Sequence, residues 1–255
     1  MTSNTRKLAL LLPCLLSSLA FGQSSKATHK AELKAEKVTS KGHRFSVVSA
    51  HWPGTPIAMY WKSRDGTKMK SFTALENEAG TRGHHLLFAT NAGMFTETND
   101  PCGLYVEHGN KLRPLVKRTS GAGNFFIQPN GVFLLTQTGA HVVTTAAVAT
   151  YDRKILYATQ SGPMLVTDGV INSHFTDGSS NLNIRSGVGT DGKGNVFFAI
   201  SEDLVNFYDF ALLFRDALHC SNALYLDGAI SMMYCPQIGL TDAGGNFGAM
   251  IGIEE

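Results

Sequence analysis

Chemistry in this 255-residue chain has to come from a few polar side chains that stand at the ends of apolar runs, next to glycines. Asp227 follows Ala223-Leu224-Tyr225-Leu226 and precedes Gly228, with Ser231 three residues further on. A carboxylate at the end of a buried strand loses hydration and can act as nucleophile or base. The same Asp-Gly pair also fits a plain turn, in which Gly228 supplies conformational freedom. Asn91 closes the run Leu86-Leu87-Phe88-Ala89-Thr90, and Gly93 lies two residues beyond it. An amide there can bond a sugar hydroxyl or serve turn chemistry. Ser161-Gly162-Pro163 precedes another apolar run and presents backbone N–H groups, either to a ligand or within a β-turn. Arg185 precedes Ser186-Gly187-Val188-Gly189. A planar guanidinium grips two phosphate oxygens at once, or makes an ordinary surface ion pair.

Rigid elements must hold these groups in place. Strands are expected at Phe45–Val48, 86–90, 125–127, 132–135, 164–166, 170–171, 187–189, 196–200 and 223–226, from short apolar runs bounded by Gly, Asn, Asp and Pro. Phe207, Phe210, Ala211, Phe214, Ala217 and Leu218 recur at helical spacing, with Asn206 as cap and Asp209 three residues on. A second helix is expected from Ser71 to Gly80. Many strands with few helices and no regular βαβ alternation imply an α+β single domain, built of mixed β-sheets and a few packed helices.

Several familiar signals are missing. Gly187-x-Gly189-x-x-Gly192 has the letters of a dinucleotide fingerprint, but a β-rich segment follows it where a helix is required. The nine histidines show neither H-x-H nor HExxH spacing, and His84-His85 point to opposite faces of any strand. No metal and no cofactor is expected. Gly-x-Ser-x-Gly is absent, so a nucleophile elbow has no support.

Residues 1–22 read as a secretory signal. Arg6 and Lys7 precede an apolar run to Leu19, interrupted at Pro13, and Ser18-Leu19-Ala20 supplies a small–x–small cleavage pattern. Pro13 before Cys14 argues against a lipoprotein cut. Residues 23–42 are poor in large apolar side chains and read as a flexible tether, leaving 43–255 as the folded domain. Without Arg6 and Lys7 the chain carries 20 basic and 20 acidic side chains. That balance gives no electrostatic case for nucleic acid or an anionic membrane, and no later apolar stretch is long enough to remain inserted in a bilayer. Cys102, Cys220 and Cys235 follow the leader. Cys220 and Cys235 flank one strand-and-turn segment and are expected to bridge, with two buried free thiols as the other reading.

The segments "NAGMF" at 91–95, "PCGLYVEHG" at 101–109, "GNFFIQPNGVF" at 123–133, "SGPMLVTDG" at 161–169, "IRSGVGTDGKGNVFFAIS" at 184–201, "VNFYDFALLFRD" at 205–216 and "LYLDGAIS" at 224–231 occur in one order. Together they closely resemble the phosphodiester glycosidase family over about 200 residues. In that resemblance Asn91 and Gly93 stand in the family's Asn-Gly-Gly-Phe-Phe-like motif, with Ala92 and Met94 as departures. Gly162-Pro163 match its Gly-Pro and Arg185 its Arg. Asp227, Gly228 and Ser231 match its Asp-Gly-Gly-x-Ser, with Ala229 for the second Gly. Cys102 falls where an apolar residue is usual, which implies a free thiol.

The resemblance implies cleavage of a sugar–O–phosphate bond in an envelope or extracellular glycan by an exported protein. Asp227 would be nucleophile or water-activating base, Arg185 would stabilise charge on the departing phosphate, and Asn91 and Ser231 would hold sugar hydroxyls. Gly93, Ser161, Gly162 and Gly228 would complete the substrate site. Glu97 and Glu202 are reserve carboxylates. A non-catalytic glycan-binding protein of the cell envelope, using the same pocket, is the alternative.

Overall fold

The computed structural model describes residues 1–2, 32–148, 151, 153–227 and 230–255. Most of the expected leader, including Cys14, and Gly228 lie outside the described residues. The chain runs β1 (Leu33–Ser40), β2 (His43–His51), β3 (Ile57–Tyr60), α1 (Phe72–Gly80), β4 (Leu86–Asn91), β5 (Tyr105–Glu107) and β6 (Asn110–Arg113). It continues through β7 (Gly131–Thr136), β8 (Ala140–Thr144), the single turn α2 (Thr145–Val148), β9 (Ile155–Ser161), β10 (Met164–Thr167) and β11 (Val170–Ile171). It ends with β12 (Ser186–Thr190), β13 (Asn195–Ser201), α3 (Phe207–Leu212), β14 (Asn222–Tyr225), β15 (Met233–Tyr234) and β16 (Met250–Glu254).

The strands form three sheets, ordered β1-β2-β13-β12-β14-β10-β11, β15-β4-β16-β3 and β6-β5-β9-β7-β8. Their pairings are antiparallel, which gives an α+β fold. All three sheets turn one face to a shared core, where Phe198 of β13 lies 5.0 Å from Phe88 of β4 and 5.8 Å from Phe133 of β7. The outer face of the seven-stranded sheet is covered by α3 and the π-helical turn Leu213–Ala217, through Phe210 and Phe214. Helix α1 covers the four-stranded sheet with Phe72, Leu75 and Ala79.

Both helices start where the caps predict. Asn206 accepts a hydrogen bond from the Asp209 N–H at 2.8 Å, and Ser71 from the Ala74 N–H at 3.2 Å. Among the described residues no helix is long and apolar enough to cross a membrane.

Three expectations need correction. Residues 33–40 are not a tether. They form β1, paired along its length with β2 from Leu33↔Ala50 to Ser40↔His43. Lys41 and Gly42, at φ +52° and +81°, make the two-residue hairpin turn. An edge strand needs main-chain pairing more than large side chains, and Leu33 and Ala35 suffice to pack it on the core. Phe125-Phe126-Ile127 is also not a strand, because Asn124–Phe126 closes into a 3-10 turn. Finally, Cys220 and Cys235 do not bridge, and all three described cysteines are free. Cys220 sits under α3 on the outer face of the large sheet, whereas Cys235 lies in the shared core.

Candidate active site

Strand β14 delivers Asp227 to the edge of a cavity. Its ladder continues briefly: the Tyr225 N–H donates to the Pro163 carbonyl and the Leu226 N–H to the Ser186 carbonyl, both at 3.0 Å. Beyond that point side-chain hydroxyls take over. Ser161 donates to the Leu226 carbonyl, and Ser231 donates to the Asp227 carbonyl. The Ser186 hydroxyl stands 3.3 Å from the Asp227 carbonyl and 3.1 Å from Asn91 Oδ1, so its one proton serves either in turn. Asn91 Oδ1 also accepts from the Met232 N–H at 3.2 Å. Buried Asn91 therefore ties β4 of the small sheet to β12 of the large one, directly beneath Asp227.

The structure thus brings Asn91, Ser161, Ser231 and Asp227 together and adds Ser186. The three hydroxyls and the amide hold the main chain from Leu226 to Asp227, the segment from which the Asp227 side chain lines the cavity. Asp227 is 6 % exposed and lines a cavity of about 670 Å³ together with Cys102, Glu97 and Arg118. Burial pushes the Cys102 thiol up, and the neighbouring Asp227 charge pushes it further. Burial also drives the Tyr225 phenol up to about 12, with Arg185 opposing and Asp227 adding to the rise. Of the two reserve carboxylates, Glu97 faces this cavity, whereas Glu202 is bound to Lys37 and Ser46.

Gly93 and Gly162 are required by close packing. A Cβ on Gly93 would lie 2.2 Å from the Gln160 carbonyl oxygen, and one on Gly162 would lie 2.8 Å from the Phe125 carbonyl oxygen. Gln160 was not foreseen. Its Oε1 accepts from the Leu104 and Val116 N–H groups, each at 2.9 Å, and its Nε2 donates to the Val116 carbonyl at 2.8 Å and Thr145 Oγ1 at 3.1 Å. A single amide therefore fixes the segment that passes over the cavity at Val116.

Arg185 stands apart from the cavity lining. It is 0 % exposed. Nε donates to the Val205 carbonyl at 2.8 Å, Nη2 to the Asn181 carbonyl at 2.8 Å, and Nη1 lies 3.5 Å from the Tyr225 hydroxyl. The guanidinium carbon is 3.7 Å from the Phe207 ring centroid. Burial lowers its pKa. These contacts tie Arg185 to Val205, to Asn181 and to Tyr225 of β14, outside the cavity lining. The cation that does line the cavity is Arg118, whose guanidinium sits 4.6 Å over the Phe126 ring.

The sequence model of the phosphodiester glycosidase family matches residues 84–247, a span that contains Asn91, Ser161, Ser186, Asp227 and Ser231. The chain belongs to the phosphodiester glycosidase family. Among curated proteins, this family member is 38 % identical over 178 residues to the uncharacterized protein YigE of Escherichia coli K12, covering 70 % of the chain and 69 % of YigE. Its fold is similar to that of the zebrafish N-acetylglucosamine-1-phosphodiester alpha-N-acetylglucosaminidase catalytic domain, auto-inhibited by its pro-peptide. The TM-score is 0.60 at 16 % identity, over 89 % of this chain and 83 % of that one. A hypothetical protein from Synechocystis matches with a TM-score of 0.53 at 15 % identity, over 87 % of this chain and 61 % of that one.

Within the phosphodiester glycosidase span, the residues that sequence reasoning missed are Ser186, Gln160 and Arg118. Ser186 and Gln160 each adjoin a residue singled out from the sequence, Arg185 and Ser161. A polar side chain entering or leaving an apolar strand was a usable signal at both. Arg118 lies in the stretch Lys117-Arg118-Thr119-Ser120, where nothing local marks it.

Proposed function

We propose that this protein is an exported hydrolase that cleaves a glycosyl–O–phosphate bond in a phosphodiester of an envelope or extracellular glycan. The observation that carries the reading is Asp227, its main chain held by hydrogen bonds, at the edge of a ligand-sized cavity inside the family span. Asp227 takes a proton from water as that water's oxygen bonds to the anomeric carbon. The bond from that carbon to the phosphate oxygen breaks, and the electron pair leaves with the phosphate. A phosphomonoester has a second pKa of about 6, so it departs as a stable anion and needs little help from an acid. Attack by Asp227 itself, followed by water, has the same balance. Glu97 is the carboxylate available for a second role in the cavity. Arg118 meets the charge growing on the departing phosphate. Arg185, Asn91, Ser161, Ser186 and Ser231 act as positioning residues for Asp227.

The test is turnover of Asp227→Asn on a panel of glycosyl phosphodiesters, with released sugar detected by mass. Turnover should fall on the order of a hundredfold or more, the loss typical of a removed base, while the thermal melt holds. Near-normal turnover would transfer the role to Glu97. A wild-type protein that binds the panel and turns over none of it would be a glycan-binding protein instead.

A further inference from the structure

We propose that the alcohol on the far side of the phosphate is a hydrocarbon chain, which makes the substrate a glycosyl phospholipid-type diester rather than a sugar–phosphate–sugar. The inference rests on the proposed reaction at Asp227 and extends it to the other half of the same cavity.

Asp227 and Cys102 mark one polar part of the lining, Thr96, Glu97, Arg118 and Asn124 add further polar groups, and Met94, Phe95, Val116, Phe125, Phe126 and Ile230 supply its large apolar side chains. Phe95, Val116 and Phe126 are partly buried but belong to none of the four hydrophobic clusters of the fold. They present apolar surface to the cavity without completing a core. Two glycines make room for the rings. A Cβ on Gly121 would lie 2.5 Å from the Phe126 ring, and one on Gly248 would lie 2.4 Å from Phe95 Cβ. Phe125 holds Phe126 edge-on at a centroid distance of 5.1 Å. Aromatic surface set in place this way, and left uncovered, is what an apolar ligand needs.

The chemistry of the wall selects between occupants. A second sugar brings hydroxyls that lose water on entry, and the Met, Phe, Val and Ile side chains offer no donor or acceptor in exchange, which leaves Thr96, Glu97, Asn124 and Arg118 as the lining groups a sugar could bond. A hydrocarbon chain gains by leaving water on the same wall. Arg118 sits over Phe126, where anionic phosphate and apolar chain would meet. The cavity volume of about 670 Å³ is in the range that takes a drug-sized ligand, which leaves room for sugar, phosphate and the first stretch of the chain, with the rest running out through the mouth.

The experiment measures binding of the product-side probes by calorimetry on the full chain. The probes are butyl, hexyl, octyl and decyl phosphate below their micelle-forming concentrations, and mannose 6-phosphate. Affinity should rise about three- to fourfold per methylene until the wall is covered, and decyl phosphate should bind at least tenfold tighter than mannose 6-phosphate. Phe95→Ser should weaken decyl phosphate about tenfold and leave mannose 6-phosphate unchanged, and the near-isosteric Val116→Thr should do the same more mildly. Arg118→Gln should weaken both probes. Affinity independent of chain length, or mannose 6-phosphate binding as tightly as decyl phosphate, would overturn the proposal. Turnover of one sugar linked through phosphate to decanol or to mannose separates the two readings. Chain-length-dependent binding without turnover of either compound would support the lipid wall and remove the hydrolytic reading. Equal turnover of both compounds would keep hydrolysis and remove the lipid wall.

Discussion

Arg185 shows how far a residue's type can be read without its surroundings. A lone Arg before a Gly-rich strand is a natural phosphate clamp; here Nε and Nη2 donate to the Val205 and Asn181 carbonyls, Nη1 lies 3.5 Å from the Tyr225 hydroxyl, and the guanidinium carbon is 3.7 Å from the Phe207 ring centroid. Lys in its place keeps the charge but has one nitrogen, so at least one buried carbonyl loses its partner. Arg185→Lys should therefore lose about 2–3 kcal/mol of stability, seen as a fall in Tm on the order of 5–10 °C for a chain of this size. Any loss of activity should follow from displacement of β14. An unchanged melt with lost turnover would return Arg185 to direct contact with the phosphate. Asp227→Asn should behave in the opposite way, and the two variants measured side by side separate chemistry from positioning. The local pattern at Asp227 fits a plain Asp-Gly turn as well as a catalytic carboxylate, and the ordered family motifs singled it out. Sequence pattern could not tell a hydroxyl that meets substrate from one that holds a carbonyl, and the structure shows Ser161 and Ser231 each donating to a main-chain carbonyl.

At the scale of elements, caps and periodicity carried most of the reading. The Asn206 and Ser71 caps depend on residues three positions away and are local in origin. Strand β8 adds a testable pH effect. His141 packs edge-on against Tyr151 at 5.9 Å, and its Nε2 is buried without a partner among the described residues. Burial, with Arg153 adding to it, lowers its pKa below the ordinary histidine value. The folded state therefore resists a proton that the unfolded chain accepts. Stability from this site is fully present above about pH 6.5, the unfolded value, falls as pH drops through it, and levels off below the lowered folded value. His141→Phe keeps the ring contact and removes the titration. Urea unfolding at about pH 7.5 and about pH 5 should show a smaller gap between the two conditions for the variant than for the parent. An equal gap would place the acid sensitivity in other groups.

For the whole molecule, the three sheets act as one body because their inner faces meet around Phe88, Phe133 and Phe198. Strand β1 belongs to that body. A chain beginning at Gly42 would expose β2 as a bare edge and lose the packing of Leu33 and Ala35. It should melt lower than the full chain and scatter more light on standing, since an uncovered edge recruits other strands. A truncated chain that melts with the parent would make 33–40 dispensable. The thiols offer a second check at this scale. All three described cysteines should react with a thiol reagent in denaturant under non-reducing conditions, and a Cys220–Cys235 link in that experiment would contradict the separation of the two cores.

The sequence by itself determined the class of fold, most of the strands and both capped helices, the family, and Asp227 as the residue to watch. Each of these rests on local pattern or on ordered motifs, which survive in one dimension. The tertiary structure decided the rest. It showed that a polar-looking stretch is an edge strand, because pairing with β2 depends on a partner and not on hydrophobicity. It turned Arg185 inward and left Arg118 at the cavity, because exposure is set by what other elements cover. It also assembled the site from the ends of β4, β9, β12 and β14, whose carbonyls and hydroxyls meet only after three sheets have closed on one core.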